Sequence, residues 1–434
     1  MMDDIDKEDL KKKKIKRIIL FSAIAVVIIA IIVVIILVTR KDSDDKPDEK
    51  KEETYTVLFN NSKINKPNHT QKEYQIIQLD KSKNIFILIK DPKTLNGAIE
   101  IRTNLGFHTE VIDGFAHYSE HIFFGGSQRV TELDLLNLVM EFNEWLNAYT
   151  WHEETVFQLF GSNYTYDTLL DYISECIKNP FLNLTYLLTE IDVVTSEYDN
   201  NNVTYNTYQD IYRANSNPKH PFGDTRTAHI GSKFTLGNHT AEDLKNNLQN
   251  YFRVLFNPEN SVYLLYSSLS FEEMVNKAKK YFNYVLEKPT KEFNDTINKK
   301  INALDEPLFL EGNLGKIAIF NHSRKTGKML ISYSISQKSS YVETMDIIGY
   351  LFNGYHEGSF QKFLYDNNYI SNFVIYNDGH LKNYELVNFD FDLTKKGVEN
   401  INKIIEAFFA TINTIKDLGN LNDLIRNAKK YRRK

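Results

Sequence analysis

Cysteine is almost absent. Cys176 is the single example in 434 residues, so an intrachain disulfide framework is excluded and the fold must be held by its core. It stands in a run with helical periodicity and reads as a small buried hydrophobe rather than a nucleophile. Excess positive charge is absent as well: the formal net charge is -5, and no basic, aromatic-interleaved stripe follows the N-terminal region, which excludes a case for nucleic acid as partner. The abundance of Ile, Lys, Asn and Tyr reads as base-composition bias rather than chemistry.

Long apolar runs are missing with one exception. Residues 18–38 form a stretch of 21 residues in which only Ser22 is polar, long enough to span a bilayer. Lys11, Lys12, Lys13, Lys14, Lys16 and Arg17 precede it, whereas Arg40 and Lys41 after it are mixed with Asp42, Asp44 and Asp45. The positive-inside rule then puts the N-terminus in the cytosol and the rest on the far side. The run exceeds the h-region of about 7–15 residues expected of a cleaved signal peptide, and no small-residue cleavage site follows it. The expectation is a single-pass type II membrane protein, anchored in the lipid bilayer through residues 18–39, with its main body lumenal or extracellular. Sequons at Asn60, Asn68, Asn163, Asn183, Asn202, Asn238, Asn294 and Asn321 suit that compartment.

Against this background one pentad stands out: His117-Tyr118-Ser119-Glu120-His121, an H-x-x-E-H arrangement. At 3.6 residues per turn, positions i and i+4 lie nearly one above the other, so His117 and His121 can close on one zinc ion while Glu120 points to the same side. The chemistry implied is metal-assisted hydrolysis, and the order of residues is the inverzincin one. Taken singly, each His would read as an ordinary helix residue.

Residues 114–127, which enclose the pentad, resemble the active-site helix of the insulinase/pitrilysin family of metallopeptidases. The resemblance puts the third zinc ligand on a carboxylate of a later helix. The stretch 190–198 matches the family's second signature and assigns that ligand to Glu197, 76 positions after His121 (197 − 121). Glu190, seven residues earlier and therefore on the same helical face, corresponds to an acidic position that fixes the geometry of the site. Asn147-Ala148-Tyr149-Thr150 resembles the N-A-x-T segment that contacts bound peptide, which implies substrate-binding roles for Asn147 and Ala148; Asn147 alone would read as a turn residue. The glycine-rich approach usual before that segment is replaced here by Asn143-Glu144-Trp145-Leu146. Residues 217–222 with 231–238 resemble the insulin-degrading-enzyme branch of the family rather than the mitochondrial processing branch. His152 has no metal-ligand spacing to the pentad and reads as structural or substrate-facing, and His220, between two prolines, as part of a rigid turn.

The expected organisation is a cytosolic basic tail (1–17), the anchor (18–39), a stalk (40–70), a zinc-binding peptidase domain (71–287), a linker (288–312) and a second homologous domain (313–434) without the zinc motif and lacking its final elements. Within the first domain, 74–79, 84–89, 98–102 and 155–160 read as strands, 166–178, 184–200 and 271–285 as helices, and 261–266 as the strand that closes the sheet. In the second, 316–320, 329–335 and 386–392 read as strands and 341–353 as a helix. Mixed strands and long helices argue an α+β class, and the resemblance implies two homologous domains, each a mostly antiparallel sheet backed by helices.

The function implied is a zinc metalloendopeptidase acting on extended peptides, with Glu120 as general base. A peptide substrate would bind as an added strand. A homo-oligomer or a separately encoded C-terminal half is the expected partner. The competing reading is a non-catalytic peptide-binding or scaffold subunit, and the retained Glu120 argues against it.

Overall fold

Alternation decides the first sheet. Ile77 and Leu79, Phe86 and Leu88, Ile99 and Ile101, Phe157 and Leu159, and Tyr263 and Leu265 are all buried, each pair two residues apart on its strand and hence on one face. In the computed structural model these strands are β2 (Glu73–Leu79), β3 (Ile85–Lys90), β4 (Asn96–Thr103), β6 (Thr155–Ser162) and β7 (Ser261–Ser267), joined by β1 (Tyr55–Asn60) and β5 (Trp145–Thr150). The order across the sheet is β1-β2-β3-β7-β4-β6-β5. All neighbours are antiparallel except β3 and β7, which run parallel. The structure describes residues 54–61, 66, 70–142, 145–200, 211–224, 231–315, 327–336, 349–354, 356–378, 381, 383–417 and 426.

Helices close the buried face. They are α1 (Phe115–Phe124), α2 (Glu132–Phe142), α3 (Tyr166–Lys178), α4 (Leu184–Asn200), α5 (Ala241–Leu255), α6 (Phe271–Phe282) and α7 (Lys291–Ala303). The strands' inward residues and the apolar faces of these helices form one continuous core that includes Phe115, Phe123, Leu170, Ile173, Phe252 and Phe282. Polar signals set the helix starts. Asn183 Oδ1 accepts from the backbone N–H groups of Thr185 and Tyr186 at the head of α4, while Thr240 and Ser270 build capping boxes with Asp243 and Glu273 for α5 and α6, which satisfies donors that would otherwise be orphaned.

A second sheet, β8 (Gly327–Ser336), β10 (Tyr384–Leu393) and β9 (Ile370–Asp378), is antiparallel in the order β8-β10-β9. It has its own aromatic core, in which Phe360 of α8 (Phe360–Asp366) and Phe408 of α9 (Ile401–Asp417) meet Phe373, Phe389 and Phe391. The chain is therefore mixed α+β, with sheets backed by helices. Tyr212 bridges towards this sheet through hydrogen bonds to Ser332 Oγ and Asn388 Oδ1.

Several expectations change. The strand at 261–267 does not close the sheet; it enters between β3 and β4, because it arrives from α5 by a crossover that lets it run parallel to β3. Within the segment 40–70 read as stalk, 55–60 form β1, which adds to β2 at the sheet's edge. The connection 288–312 carries α7, whose Phe293 and Ile297 face the first core. The sequon Asn163 has its amide engaged with Ser268 Oγ at 2.9 Å. The expected strand 316–320 and most of the expected helix 341–353 lie outside the described residues, as does the anchor at 18–39. Among the described residues no helix is long and apolar enough to cross a membrane.

Phe157 packs at 4.3 Å from Phe123 and 5.6 Å from Phe256, measured between ring centroids, and is fully buried. It props the underside of α1. Phe157→Ala should cost about 3–5 kcal/mol of stability, read as a lowered midpoint in denaturant; an unchanged midpoint would contradict this packing.

Candidate metal centre

Helix α1 divides its surface between core and site. Phe115, Ala116, Tyr118, Ile122 and Phe123 are buried in the core, which turns His117 and His121 outward along one stripe. Its start is fixed by Gly114, held at φ 81, and by Glu110, whose two carboxylate oxygens accept from Gly114 N (2.9 Å) and Ala116 N (3.0 Å). A carboxylate at a helix N-terminus satisfies free donors and meets the positive end of the dipole. Tyr118 Oη then donates to the Leu187 carbonyl at 2.7 Å, tying α1 to α4. Glu190 and Glu197, two turns apart on α4, thereby confront the two imidazoles.

The donor atoms converge. His117 Nε2 and His121 Nε2 are 3.3 Å apart, Glu197 Oε2 is 3.5 Å from His117 Nε2, and Glu197 Oε1 is 3.7 Å from His121 Nε2. One donor atom from each of the three lies within 4.8 Å of the others, the single such grouping among the described residues. Two imidazoles and a carboxylate are a borderline N/O set of the kind zinc takes from proteins, so the residues fit that ion. Glu190 Oε2 stands 3.4 Å from His121 Nδ1, on the ring nitrogen that faces away from the convergence point. Such a contact sets ring orientation and tautomer.

Glu120 is nine-tenths buried, and Thr150 Oγ1 donates to its Oε2 at 2.6 Å. Burial pushes its pKa up to about 7, with Glu197 adding to the rise and the Thr150 hydrogen bond and His121 opposing it. A carboxyl group poised near neutrality can both take and return a proton. Burial also works against charge on His121, but the hydrogen bond to Glu190 and the charges of Glu197 and Glu120 outweigh it and raise that pKa.

All five expected residues, His117, His121, Glu197, Glu120 and Glu190, come together. Asn147 and Ala148 lie on β5 rather than in a turn, and among the described residues β5 is the edge strand of the sheet, paired only with β6. Thr150, at the end of the same segment, contacts Glu120; sequence reasoning quoted it in the motif but gave it no role. Glu110 was missed altogether, since an isolated carboxylate four residues ahead of a glycine carries no signal until the helix start is known. His152 and His220 belong to a buried cluster with His108, their ring centroids 4.9 Å and 5.7 Å from that of His108. Burial pushes the His220 pKa down to about 4. Cys176 is fully buried, and burial pushes its thiol up to about 12, as befits an inert core residue.

Comparison with known proteins gives the chain's family and fold. A family profile described as Insulinase (Peptidase family M16) matches residues 86–225, and one described as Peptidase M16 inactive domain matches residues 243–430. The chain is 23% identical over 374 residues to Protease 3 of Escherichia coli (strain K12), covering 82% of this chain and 36% of that protein. It is 25% identical over 257 residues to insulin-degrading enzyme of Mus musculus, covering 56% of this chain and 25% of that one. The chain thus spans only about a third or less of the length of these curated relatives. Among solved structures, pitrilysin superposes with a TM-score of 0.65 at 18% identity over 85% of this chain and 38% of its own. A protease from Helicobacter pylori gives 0.65 at 17% identity over 83% of this chain and 84% of its own. At such identities the structural likeness concerns the fold alone.

Two buried carboxyl groups make stability depend on pH. Burial lifts Glu110 to about 8, the nearby Asp113 adding to the rise, while the Ala116 and Gly114 hydrogen bonds and Lys300 act in the other direction. Glu120 lies at about 7. Both bind a proton more tightly folded than unfolded, so their contribution is complete below the ordinary Glu value of about 4.3 and is lost as pH rises through about 7 and about 8. The metal-free protein should therefore lose stability between roughly pH 5 and pH 8.5. Glu110→Gln, which has no proton to lose there, should make that decline shallower in urea titrations. Equal slopes in the two proteins would contradict the assignment.

Proposed function

The chain belongs to the insulinase family of peptidases, and from that premise we propose that it is a zinc-dependent endopeptidase whose centre is His117, His121 and Glu197, with Glu120 as general base. The observation that carries the reading is the convergence of two imidazole nitrogens and one carboxylate beside a buried carboxyl group held near neutrality. Zinc bound by those three side chains would supply Lewis acidity, polarising a peptide carbonyl and acidifying a water. The remaining work falls to the chain itself. Glu120 takes a proton from the attacking water and returns it to the leaving amine, and its place next to His121 keeps it near the reacting atoms without making it a ligand. Thr150 holds one Glu120 oxygen at 2.6 Å, leaving the other for the proton. Glu190 braces the His121 ring through Nδ1.

Substrates in this reading are extended peptides. The edge strand β5 offers to an added strand the hydrogen-bonding side that is unpaired among the described residues, with Asn147 and Ala148 on the line of contact. That mode requires backbone unpaired over several residues, which favours flexible peptides over folded proteins. We further propose that the enzyme is a single-pass type II membrane protein, on the strength of the apolar run at 18–38 and the basic cluster before it. A second copy of the chain is the partner proposed for it.

The base and the ligands separate experimentally. Glu120→Gln should abolish hydrolysis of a quenched peptide while zinc content stays at one per chain, whereas His117→Ala and His121→Ala should lose both. Glu197→Ala should weaken zinc binding far more than Glu190→Ala. A zinc-free Glu120→Gln protein, or equal zinc content in the two glutamate variants, would sink these roles.

Topology has its own test. Protease added to intact microsomes should trim only the first residues of the chain. Digestion of the segment carrying the pentad under those conditions would overturn the type II orientation.

A further inference from the structure

Glu197 poses a mechanical problem. Its side chain is 49% exposed, so little packs around the carboxylate itself, and its position is set by where α4 lies. The hydrogen bond from Tyr118 pins α4 at Leu187, ten residues earlier, which is about 15 Å along the axis at 1.5 Å per residue. A tilt of roughly 4° about that point would carry Glu197 about 1 Å sideways. Ligand distances in a metal site tolerate only about 0.2 Å. Ile191 and Val194 seat this part of α4 in the core, and a directional contact beside Glu197 adds a fixed distance from α1.

The segment 231–236 lies against both helices. The backbone N–H of Lys233 donates to Thr195 Oγ1 at 2.8 Å, two residues from Glu197, and Thr195 is buried and itself donates to the Ile191 carbonyl at 2.6 Å. At its other end Gly231 sits with φ +82 directly on the start of α1. A Cβ there would lie 3.1 Å from the Gly114 carbonyl oxygen, 3.2 Å from Gly114 Cα and 2.9 Å from Leu236 Cδ1. The Gly114 carbonyl is the one that accepts from Tyr118 N, the first bond of the helix ladder. Between these two contacts the segment is braced internally: Ser232 N donates to Thr235 Oγ1, Phe234 N to Ser232 Oγ, and Leu236 N to the Ser232 carbonyl. Ser232 and Leu236 are buried.

We infer that residues 231–233 form a clasp that fixes the separation of the two ligand-bearing helices, with Gly231 bearing on α1 and Lys233 gripping α4 through Thr195. Thr195 and Gly231 are positioning residues: neither reaches the site, and each acts through the helix it holds. Glycine at 231 follows from both the positive φ and the close backbone approach, and a hydroxyl at 195 from the need to accept one hydrogen bond while giving another.

The inference rests on the zinc reading of the site, and its test separates the two. Zinc dissociation constants would be measured on the full chain by competition with a chromophoric chelator, beside thermal melts of the zinc-free protein. Thr195→Val keeps the shape but removes the acceptor, and should weaken zinc about tenfold or more, the scale of lost outer-shell support. Thr195→Ser keeps the acceptor and should restore affinity to about twofold of the parent. Gly231→Ala, pressing on the first carbonyl of α1, should weaken zinc independently. A parent chain that binds no zinc would overturn the reading of the site itself. With zinc bound by the parent, a Thr195→Val protein of unchanged affinity would overturn the clasp, as would a Thr195→Ser protein weakened equally or a cooperatively melting Gly231→Ala protein that binds as the parent does. A merely structural role would lower the melting temperature and leave the dissociation constant alone.

Discussion

The buried hydrogen bond from Tyr118 to the Leu187 carbonyl is the contact on which the rest of the site depends. It joins the one helix that carries imidazoles to the one that carries the facing carboxylates, and it does so from inside the core. Tyr118 is fully buried, so its hydroxyl must find an acceptor, and leaving it unpaired would cost about 1–3 kcal/mol. Helical phase does the remainder. With Tyr118 and Ile122 turned inward, His117 and His121 turn outward, and with Leu187, Ile191 and Val194 packed into the core, Glu190 and Glu197 are brought to the opposing side.

Around that junction the charges are arranged unevenly. Three carboxylates, Glu120, Glu190 and Glu197, surround two imidazoles, and they differ in environment. Glu197 is half exposed and Glu190 mostly shielded, whereas Glu120 is buried with Thr150 as its hydrogen-bond donor. Burial is the larger effect at Glu120, because the pKa ends well above the carboxylate range despite that hydrogen bond and the neighbouring imidazole. Chemically similar side chains thus stand in distinct environments: Glu197 faces both imidazoles, Glu190 meets the outer nitrogen of the His121 ring, and Glu120 is a buried carboxyl group with a pKa near neutrality. The division follows from solvent access more than from residue type.

Much of this was legible in the chain. The helices at 166–178 and 184–200 emerge with the bounds the periodicity gives them, since both alternate core and surface at helical spacing and end in polar residues. The pentad was readable because i and i+4 is a geometric statement that needs no tertiary knowledge. Other features were not. The central position of β7 depends on which strands flank it, and Ser261-Val262-Tyr263-Leu264-Leu265-Tyr266 reads the same at an edge as in the middle. The strand at 55–60 alternates weakly and is exposed along most of its length, so only its pairing with β2 defines it. Thr150 acts across a separation that no local pattern encodes, and Glu110, though close in sequence to the donors it caps, could be read only once the start of α1 was known.

Thr150 also joins two properties that would otherwise be independent. It ends β5, the edge strand whose outer side is unpaired among the described strands, and it holds the Glu120 carboxylate. Its own register is fixed from one side only, through its pairing with Thr155 at the hairpin with β6. The strand that forms the edge among the described residues is therefore the one that holds the buried Glu120 carboxyl group, and whatever stiffens β5 stiffens the Thr150–Glu120 contact with it. On the other flank, α1 and α4 pack into the core, and residues 231–233 touch both: Gly231 lies against Gly114, and Lys233 N donates to Thr195 Oγ1. The convergent side chains of His117, His121 and Glu197 thus stand on helices packed into the core, whereas Thr150, which holds Glu120, stands on the strand at the sheet's edge among the described residues.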